Sequence, residues 1–171
     1  DVFRGAWAFN NDISSWDVGK VQTMHSMFRG AAHFNQPLAT WNVTAVQNMS
    51  SLFEGATSFN QDLSSWDVSG VKTTKQMFYD AESFNQDLSR WDVSAVSDMT
   101  DMFRGAISFN QTIAQWNVHQ VKSMSGLFYE SAVFNSDLSN WNVSRVEDMT
   151  SMFQGATLFD PDLSSWDVSR V

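Results

Sequence analysis

The chain has 171 residues, of which 43% are hydrophobic and only 17% charged, a composition that provides a substantial core and excludes a disordered acidic tail. Its 10 basic and 19 acidic residues give a net charge of −9, which argues against nucleic acid and anionic membrane surfaces as partners. Cysteine is absent, which excludes disulfides and thiolate metal sites, and no apolar run approaches the roughly 20 residues of a membrane helix.

The sequence repeats every 25 residues from one end to the other, so its large apolar residues fall into columns. All 14 Phe occupy two columns, which are Phe3, Phe28, Phe53, Phe78, Phe103, Phe128, Phe153 and Phe9, Phe34, Phe59, Phe84, Phe109, Phe134, Phe159. Seven of the eight Trp form a third column, which is Trp16, Trp41, Trp66, Trp91, Trp116, Trp141, Trp166. We therefore interpret residues 1–171 as a single repeat array. Both ends fall in mid-repeat, so we expect a piece of a longer protein.

A short strand is the first element that each repeat predicts. In the unit that begins at Ile13, the alternation of Trp16 and Val18 is typical of a strand that directs both side chains into the core. The Asn that precedes this strand, Asn10 in the first unit, recurs in almost every repeat. We expect this Asn row to cap backbone groups of the turns as a buried ladder.

A short helix is the second predicted element. Val21, Met24, Met27 and Phe28 follow one another at spacings of three, three and one, which matches one face of a helix. The glycine at Gly30 and its equivalents suits the left-handed position that follows a helix C-terminus.

One strand and one helix cannot bury their apolar faces alone, whereas stacked units can. The sequence therefore predicts an α/β solenoid, leucine-rich-repeat-like, with one short parallel strand and one short helix in each of about seven 25-residue coils. Parallel strands about 4.8 Å apart would turn the Phe, Trp and Met columns into interior ladders.

The repeat resembles a known family. The run from Phe59 to Ser69, Phe-Asn-Gln-Asp-Leu-Ser-Ser-Trp-Asp-Val-Ser, and the run from Val96 to Phe103 are similar to the 25-residue repeats of BspA-like surface proteins. This resemblance covers essentially the whole chain. It implies a leucine-rich-repeat-like solenoid at an extracellular or cell-surface location that serves adhesion or display, and it supplies no catalytic residues.

A column of carboxylates and amides is the first candidate site. If the Trp and Val of the predicted strand point inward, the residue between them points outward on the strand face. This strand-face column is Asp17, Asn42, Asp67, Asp92, Asn117, Asn142, Asp167. Three interpretations stay open: a hard cation such as calcium bound between neighbours, a polar contact row for a protein partner, and a solvated row that hydrogen-bonds along the stack.

The second candidate site lies in the column that runs Arg4, Arg29, Glu54, Tyr79, Arg104, Tyr129, Gln154. Both Tyr of the protein belong to it, and in their two units the column glycine is replaced by Asp80 and Glu130. Because Tyr and Arg are enriched at interface hot spots, Tyr79, Arg104 and Tyr129 predict an exposed protein-binding stripe. The alternative is a set of variable surface positions without function.

The sequence gives little support for catalysis. The three His, at 25, 33 and 119, occupy three different columns, and no phosphate loop, His-x-x-x-His pair or nucleophile elbow is present. We therefore expect a non-enzymatic interaction or adhesion module without a cofactor. A structural scaffold subunit that self-associates or joins a larger assembly is the first alternative, and calcium or small-ligand binding along the strand-face column is the second.

Overall fold

The computed structural model describes all residues 1–171 and contains no helix and no extended strand. Its β-structure is limited to isolated parallel bridges between neighbouring repeats, namely Thr23↔Asn48, Asn48↔Thr73, Thr73↔Asp98, Asp98↔Ser123 and Ser123↔Asp148. The predicted α/β solenoid, with a strand and a helix in each coil, is therefore wrong. Each 25-residue repeat instead forms one coil of consecutive turns, and the coils stack on one another.

The segment that was predicted to be helical, 21–30 in the first complete repeat, is a run of turns. The backbone N–H of Met27 donates to the carbonyl oxygen of Met24 at 3.1 Å, a three-residue spacing that belongs to a β-turn. Ser26 and Gly30 have φ angles of 53° and 70°, and a positive φ at the third position is what a type II turn requires. Two left-handed residues four positions apart cannot belong to an α-helix.

The backbone of the same segment joins each coil to the next. The N–H of Met24 donates to the carbonyl oxygen of Asn48, and the N–H of Phe28 donates to that of Leu52, both at 2.9 Å. Because these donors point along the stack, they are not available for helical bonds within the coil. Neighbouring coils therefore satisfy the backbone groups that a helix would otherwise have satisfied internally.

The predicted strand segment also lacks ladder pairing, although its side chains point as expected. Trp41 and Val43 are buried, and Asn42 between them is exposed. The parallel bridges occur farther along the coil, in the column of Thr23. The inward and outward directions of these residues were thus predicted correctly, while the secondary structure and the place of the contact between coils were not.

Aromatic rings form the interior of the stack, as the columns indicate. Within one coil, Phe53 and Phe59 lie with ring centroids 3.9 Å apart, and Phe53 stacks on Phe78 of the next coil at 5.7 Å. The indoles of Trp66 and Trp91 lie parallel at 6.5 Å. Together with Met, Leu, Val and Ala, these rings build one core cluster of 46 buried residues.

The Asn row caps backbone groups, as expected. The side-chain oxygen of Asn10 accepts the backbone N–H of Asn35 at 2.9 Å and the amide of Gln36 at 3.0 Å. The same contact to the backbone recurs in each following coil up to Asp160, whose N–H donates to Asn135. These amides are partly or fully exposed, so the expected burial of the row was wrong.

Candidate functional site

Three side chains of the predicted stripe lie in direct contact on successive coils. The guanidinium carbon of Arg104 is 4.1 Å from the ring centroid of Tyr129 and 5.4 Å from that of Tyr79. All three residues are partly exposed. We call this arrangement the Tyr–Arg–Tyr stack. Each cation–π contact of this kind contributes about 0.5–1 kcal/mol at an exposed site and more where solvent is excluded.

Further residues of the same column also contact a residue one coil away. Arg29 pairs with Glu54 at 2.8 Å, and the side-chain amide of Gln154 donates to the hydroxyl of Tyr129 at 3.5 Å. The column is thus occupied by interacting polar and aromatic side chains across most of the array. The structure therefore brings together the residues of the predicted stripe rather than leaving them as separate surface positions.

Asp80 and Glu130 flank the stack in an unusual backbone conformation. Their φ angles are 52° and 57°, in the left-handed region that the glycines of the other coils occupy. The carboxylate of Asp80 lies against Gly105, at the position that a Cβ atom there would take. The proposed helix C-terminal role of this column is wrong, because the column lies inside the run of turns.

The surroundings of Asp80 are acidic. Asp80 is exposed, but partial desolvation of its carboxyl raises the pKa above the ordinary value. The charge of Glu82 raises this pKa further, Arg104 lowers it, and Glu130 adds a smaller repulsion. Asp101 lies 3.6 Å from the Arg104 guanidinium. The sequence analysis singled out Asp80 and Glu130 as replacements of glycine beside the two Tyr, but it did not predict that they make the site acidic, and it missed Glu82 and Asp101.

The strand-face column, Asp17, Asn42, Asp67, Asp92, Asn117, Asn142, Asp167, is organised within each coil rather than along the stack. In every coil its side-chain oxygen accepts the backbone N–H two residues later, which forms an Asx-turn. The hydroxyl of Ser69 also donates to Asp67, at 2.6 Å. Of the three interpretations left open, the one in which this column hydrogen-bonds along the stack is therefore wrong.

Local hydrogen bonds favour the ionised form of three acidic residues of this column. Hydrogen bonds from the hydroxyl and then the backbone N–H of the Ser two residues later lower the pKa of Asp67, Asp92 and Asp167. No group of three or more His, Asp or Glu side chains is arranged to hold a metal ion. Thus the column presents separate carboxylates to solvent, each bound to its own turn.

Cavities offer little for a small ligand. One depression lies between residues 135–139 and 160–165, and it is lined by polar residues, among them Asp137 and Asp162, together with Pro161. Small-molecule sites are usually concave and mostly apolar, with a few convergent polar groups.

The structure contains no helix long and apolar enough to cross a membrane.

The fold and these surfaces define a repeat protein whose coils stack through turns and aromatic ladders. A family model described as "Mycoplasma protein of unknown function, DUF285" matches residues 1–112 and 86–171. The chain belongs to this family. Comparisons with curated proteins and with solved structures give no match.

Proposed function

We propose that this chain is a non-enzymatic protein–protein interaction or adhesion module. The observation that carries the proposal is the Tyr–Arg–Tyr stack, in which Tyr79, Arg104 and Tyr129 lie in contact and partly exposed on three successive coils. Tyr and Arg dominate interface hot spots because they combine large contact area with hydrogen-bonding capacity.

Preorganisation supports the same proposal. The stack sits on a backbone that is bonded from coil to coil, for example from Phe78 to Met102 and from Phe103 to Leu127. The side chains hold one another in place before any partner arrives, so binding would cost less conformational entropy than at flexible side chains. A stacked array also presents many coils as one continuous surface, which suits the recognition of a protein.

The surroundings of the three His support a non-enzymatic function. His25 contacts the carbonyl oxygen of Ser50, and His119 contacts Asn117 in its own turn. His33 packs edge-on against Trp7. His25 also lies 3.3 Å from the hydroxyl of Ser26, which is fully buried and therefore out of reach of a substrate. A general base must lie within hydrogen-bond reach of a nucleophile and a substrate pocket, and the contacts of these three His serve the local structure instead.

We infer a location at the cell surface. The support is the resemblance of the Phe59–Ser69 repeat to BspA-like surface proteins, together with membership of a Mycoplasma family. In this proposal the coil stack displays the Tyr–Arg–Tyr stack to a protein outside the cell.

Affinity capture from the native source tests the function. The bait is this chain, compared with the double variant Tyr79→Ala, Tyr129→Ala. A matched control is Lys72→Ala, Lys122→Ala, because these two exposed residues lie on the same two coils in a different column. We expect a distinct protein that the wild type and the Lys control capture and the Tyr variant loses. Equal capture by all three would contradict the proposal, and recovery of this chain alone would favour the structural scaffold.

A further inference from the structure

We propose that the surface around the Tyr–Arg–Tyr stack binds a basic, arginine-containing segment of a protein partner, an inference that rests on the interaction function proposed above. Four carboxylates surround the stack, and we call them the acidic rim: Asp80, Glu82, Asp101 and Glu130. Asp80 and Glu130 directly follow the two Tyr in the chain, and the carboxylate of Asp80 lies against Gly105, the residue after Arg104. Asp101 contacts the Arg104 guanidinium, and Glu82 lies two residues after Asp80 and repels it. The rim and the stack therefore form one surface rather than scattered charges.

The balance of charge on this surface indicates that the partner's binding segment is positively charged. The acidic rim carries four negative charges, and the Arg104 guanidinium is the one positive charge in the stack. That guanidinium is already held between two rings and beside Asp101. It therefore has little capacity left to bind an anionic partner. A cationic segment gains attraction from the rim instead.

The aromatic component favours the same ligand. The faces of Tyr rings attract cations, and guanidinium groups stack on them more often than ammonium groups do. The protein itself shows this preference, because Arg104 lies between the rings of Tyr79 and Tyr129. Both rings remain partly exposed. Rings and carboxylates side by side give an arginine both a stacking surface and a charged acceptor.

The placement of two rim residues runs against backbone preference. Asp80 and Glu130 occupy a left-handed position. The other five coils have glycine there, namely Gly5, Gly30, Gly55, Gly105 and Gly155. A side chain in this region costs free energy, which glycine avoids. The two exceptions fall in the same coils as Tyr79 and Tyr129. Carboxylates are thus present beside each ring despite the conformational cost.

The repeat itself supplies a variant that separates binding from folding. The double substitution Asp80→Gly, Glu130→Gly restores the glycine of the other coils and removes two rim charges without removing the rings. We expect it to fold at least as stably as the wild type. The matched control, Asp87→Asn, Asp137→Asn, removes two charges from the same two coils, and the Asn side chains can keep the turn bonds that these Asp residues accept.

The experiment titrates a hexa-arginine peptide into the isotopically labelled chain at constant ionic strength and follows the ring signals of its two Tyr by NMR. We expect both ring signals to shift in the wild type and in the Asp87/Asp137 control. The Asp80/Glu130 variant should bind at least about fivefold more weakly, since it loses two charge contacts beside the rings. A hexa-glutamate peptide should cause no shift.

Three results would overturn the inference. These are the absence of ring shifts with hexa-arginine, equal weakening in both double variants, and binding of hexa-glutamate instead. None of these results tests the interaction function itself. The capture experiment with the Tyr79/Tyr129 variant tests that function. Partner capture that depends on the Tyr pair but is unchanged in the Asp80/Glu130 variant would keep the proposed function and refute the basic partner.

Discussion

The indole N–H of Trp91 donates to the carbonyl oxygen of Leu63, 28 residues earlier, at 3.0 Å. The same bond recurs from Trp41 to Trp166, so each of these indoles attaches its coil to the preceding one. Trp16 has no such bond and is 43% exposed, whereas Trp91 is 3% exposed. The indole column thus combines burial of apolar area with a directional bond between coils.

The substitution Trp91→Phe should destabilise the fold. It removes the bond to Leu63 and leaves unfilled space between the stacked indoles of Trp66 and Trp116, which together cost about 2 kcal/mol. Trp16→Phe is the matched control and should cost less than about 1 kcal/mol, because its ring is half exposed and its N–H is free of protein partners. Chemical denaturation of both variants measures the difference. Equal losses would contradict the expectation that a buried and bonded indole stabilises the stack more than a half-exposed one.

Thr74→Val should stabilise the protein. Thr74 is 2% exposed in a column otherwise filled by Met, and its hydroxyl is buried without a hydrogen-bond partner. Removing an unsatisfied buried hydroxyl at nearly constant volume should add about 1 kcal/mol, which corresponds to a rise in Tm of about 2–4 °C. A thermal melt measures this shift.

The neighbouring Thr73 provides the control for that substitution. Its hydroxyl contacts the hydroxyl of Ser50 at 3.2 Å and accepts the backbone N–H of Lys75 at 3.3 Å. Thr73→Val should therefore lower Tm. If both Val variants lower Tm, the Thr74 hydroxyl has a partner after all.

Glu130→Gly should also raise stability, alone or with Asp80→Gly. At the left-handed φ of 57°, glycine avoids the steric cost that Glu bears, a gain of about 0.5–1 kcal/mol. The reverse exchange, Gly105→Ala, should destabilise, because its φ is 66° and the new Cβ would collide with the carboxylate of Asp80. Thermal melts of the three variants test this ordering. A stabilising Gly105→Ala would contradict it.

Acid should weaken the fold through carboxylates that are bound in turns. Hydrogen bonds lower the folded-state pKa of nine Asp, namely Asp12, Asp62, Asp67, Asp87, Asp92, Asp137, Asp148, Asp162 and Asp167. A lowered folded pKa gives stability that is present above the unfolded value and is lost as pH falls through the folded value. Asp80 contributes to the pH dependence of stability with the opposite sign. Its raised pKa means that the folded state disfavours the ionised form, so protonation in acid removes that unfavourable contribution.

The double variant Asp67→Asn, Asp92→Asn tests this pH dependence. Asn occupies the same column in three other coils and accepts the same turn bond there, so the fold should persist. We expect the wild type to lose stability between about pH 5 and pH 2, and the variant to lose less over that range. Denaturation curves at several pH values give the two slopes. Identical slopes would refute the link to these carboxylates.

The buried columns could be predicted from the sequence because internal repetition marks the positions that the stack constrains. The rings of Phe28, Phe34 and Phe53 are fully buried, as their columns indicate. The inward direction of Trp41 and Val43 followed from alternation alone. The adjacency of Tyr79, Arg104 and Tyr129 followed from the 25-residue period, since any two residues one period apart lie on neighbouring coils.

The secondary structure could not be predicted from apolar spacing. Val21, Met24 and Met27 follow one another at intervals of three, and a run of β-turns produces that interval as readily as a helix does. The distinguishing residues are Ser26 and Gly30, both with positive φ. Gly30 by itself was compatible with the C-terminal end of a helix. Serine gives no comparable signal, and Gln76 and Asp101 hold the same left-handed position in other coils.

Because every coil meets the next through equivalent contacts, duplication or loss of any 25 residues would create a junction like the ones already present. The array can therefore lengthen or shorten in whole-coil steps by recombination within its own gene. The Tyr–Arg–Tyr stack does not share this freedom. One coil inserted between Tyr79 and Arg104 would move them about 10 Å apart, given a rise of about 4.8 Å per coil. Selection on the interface would thus be visible as an uninterrupted block from 79 to 129 in an array of otherwise variable length.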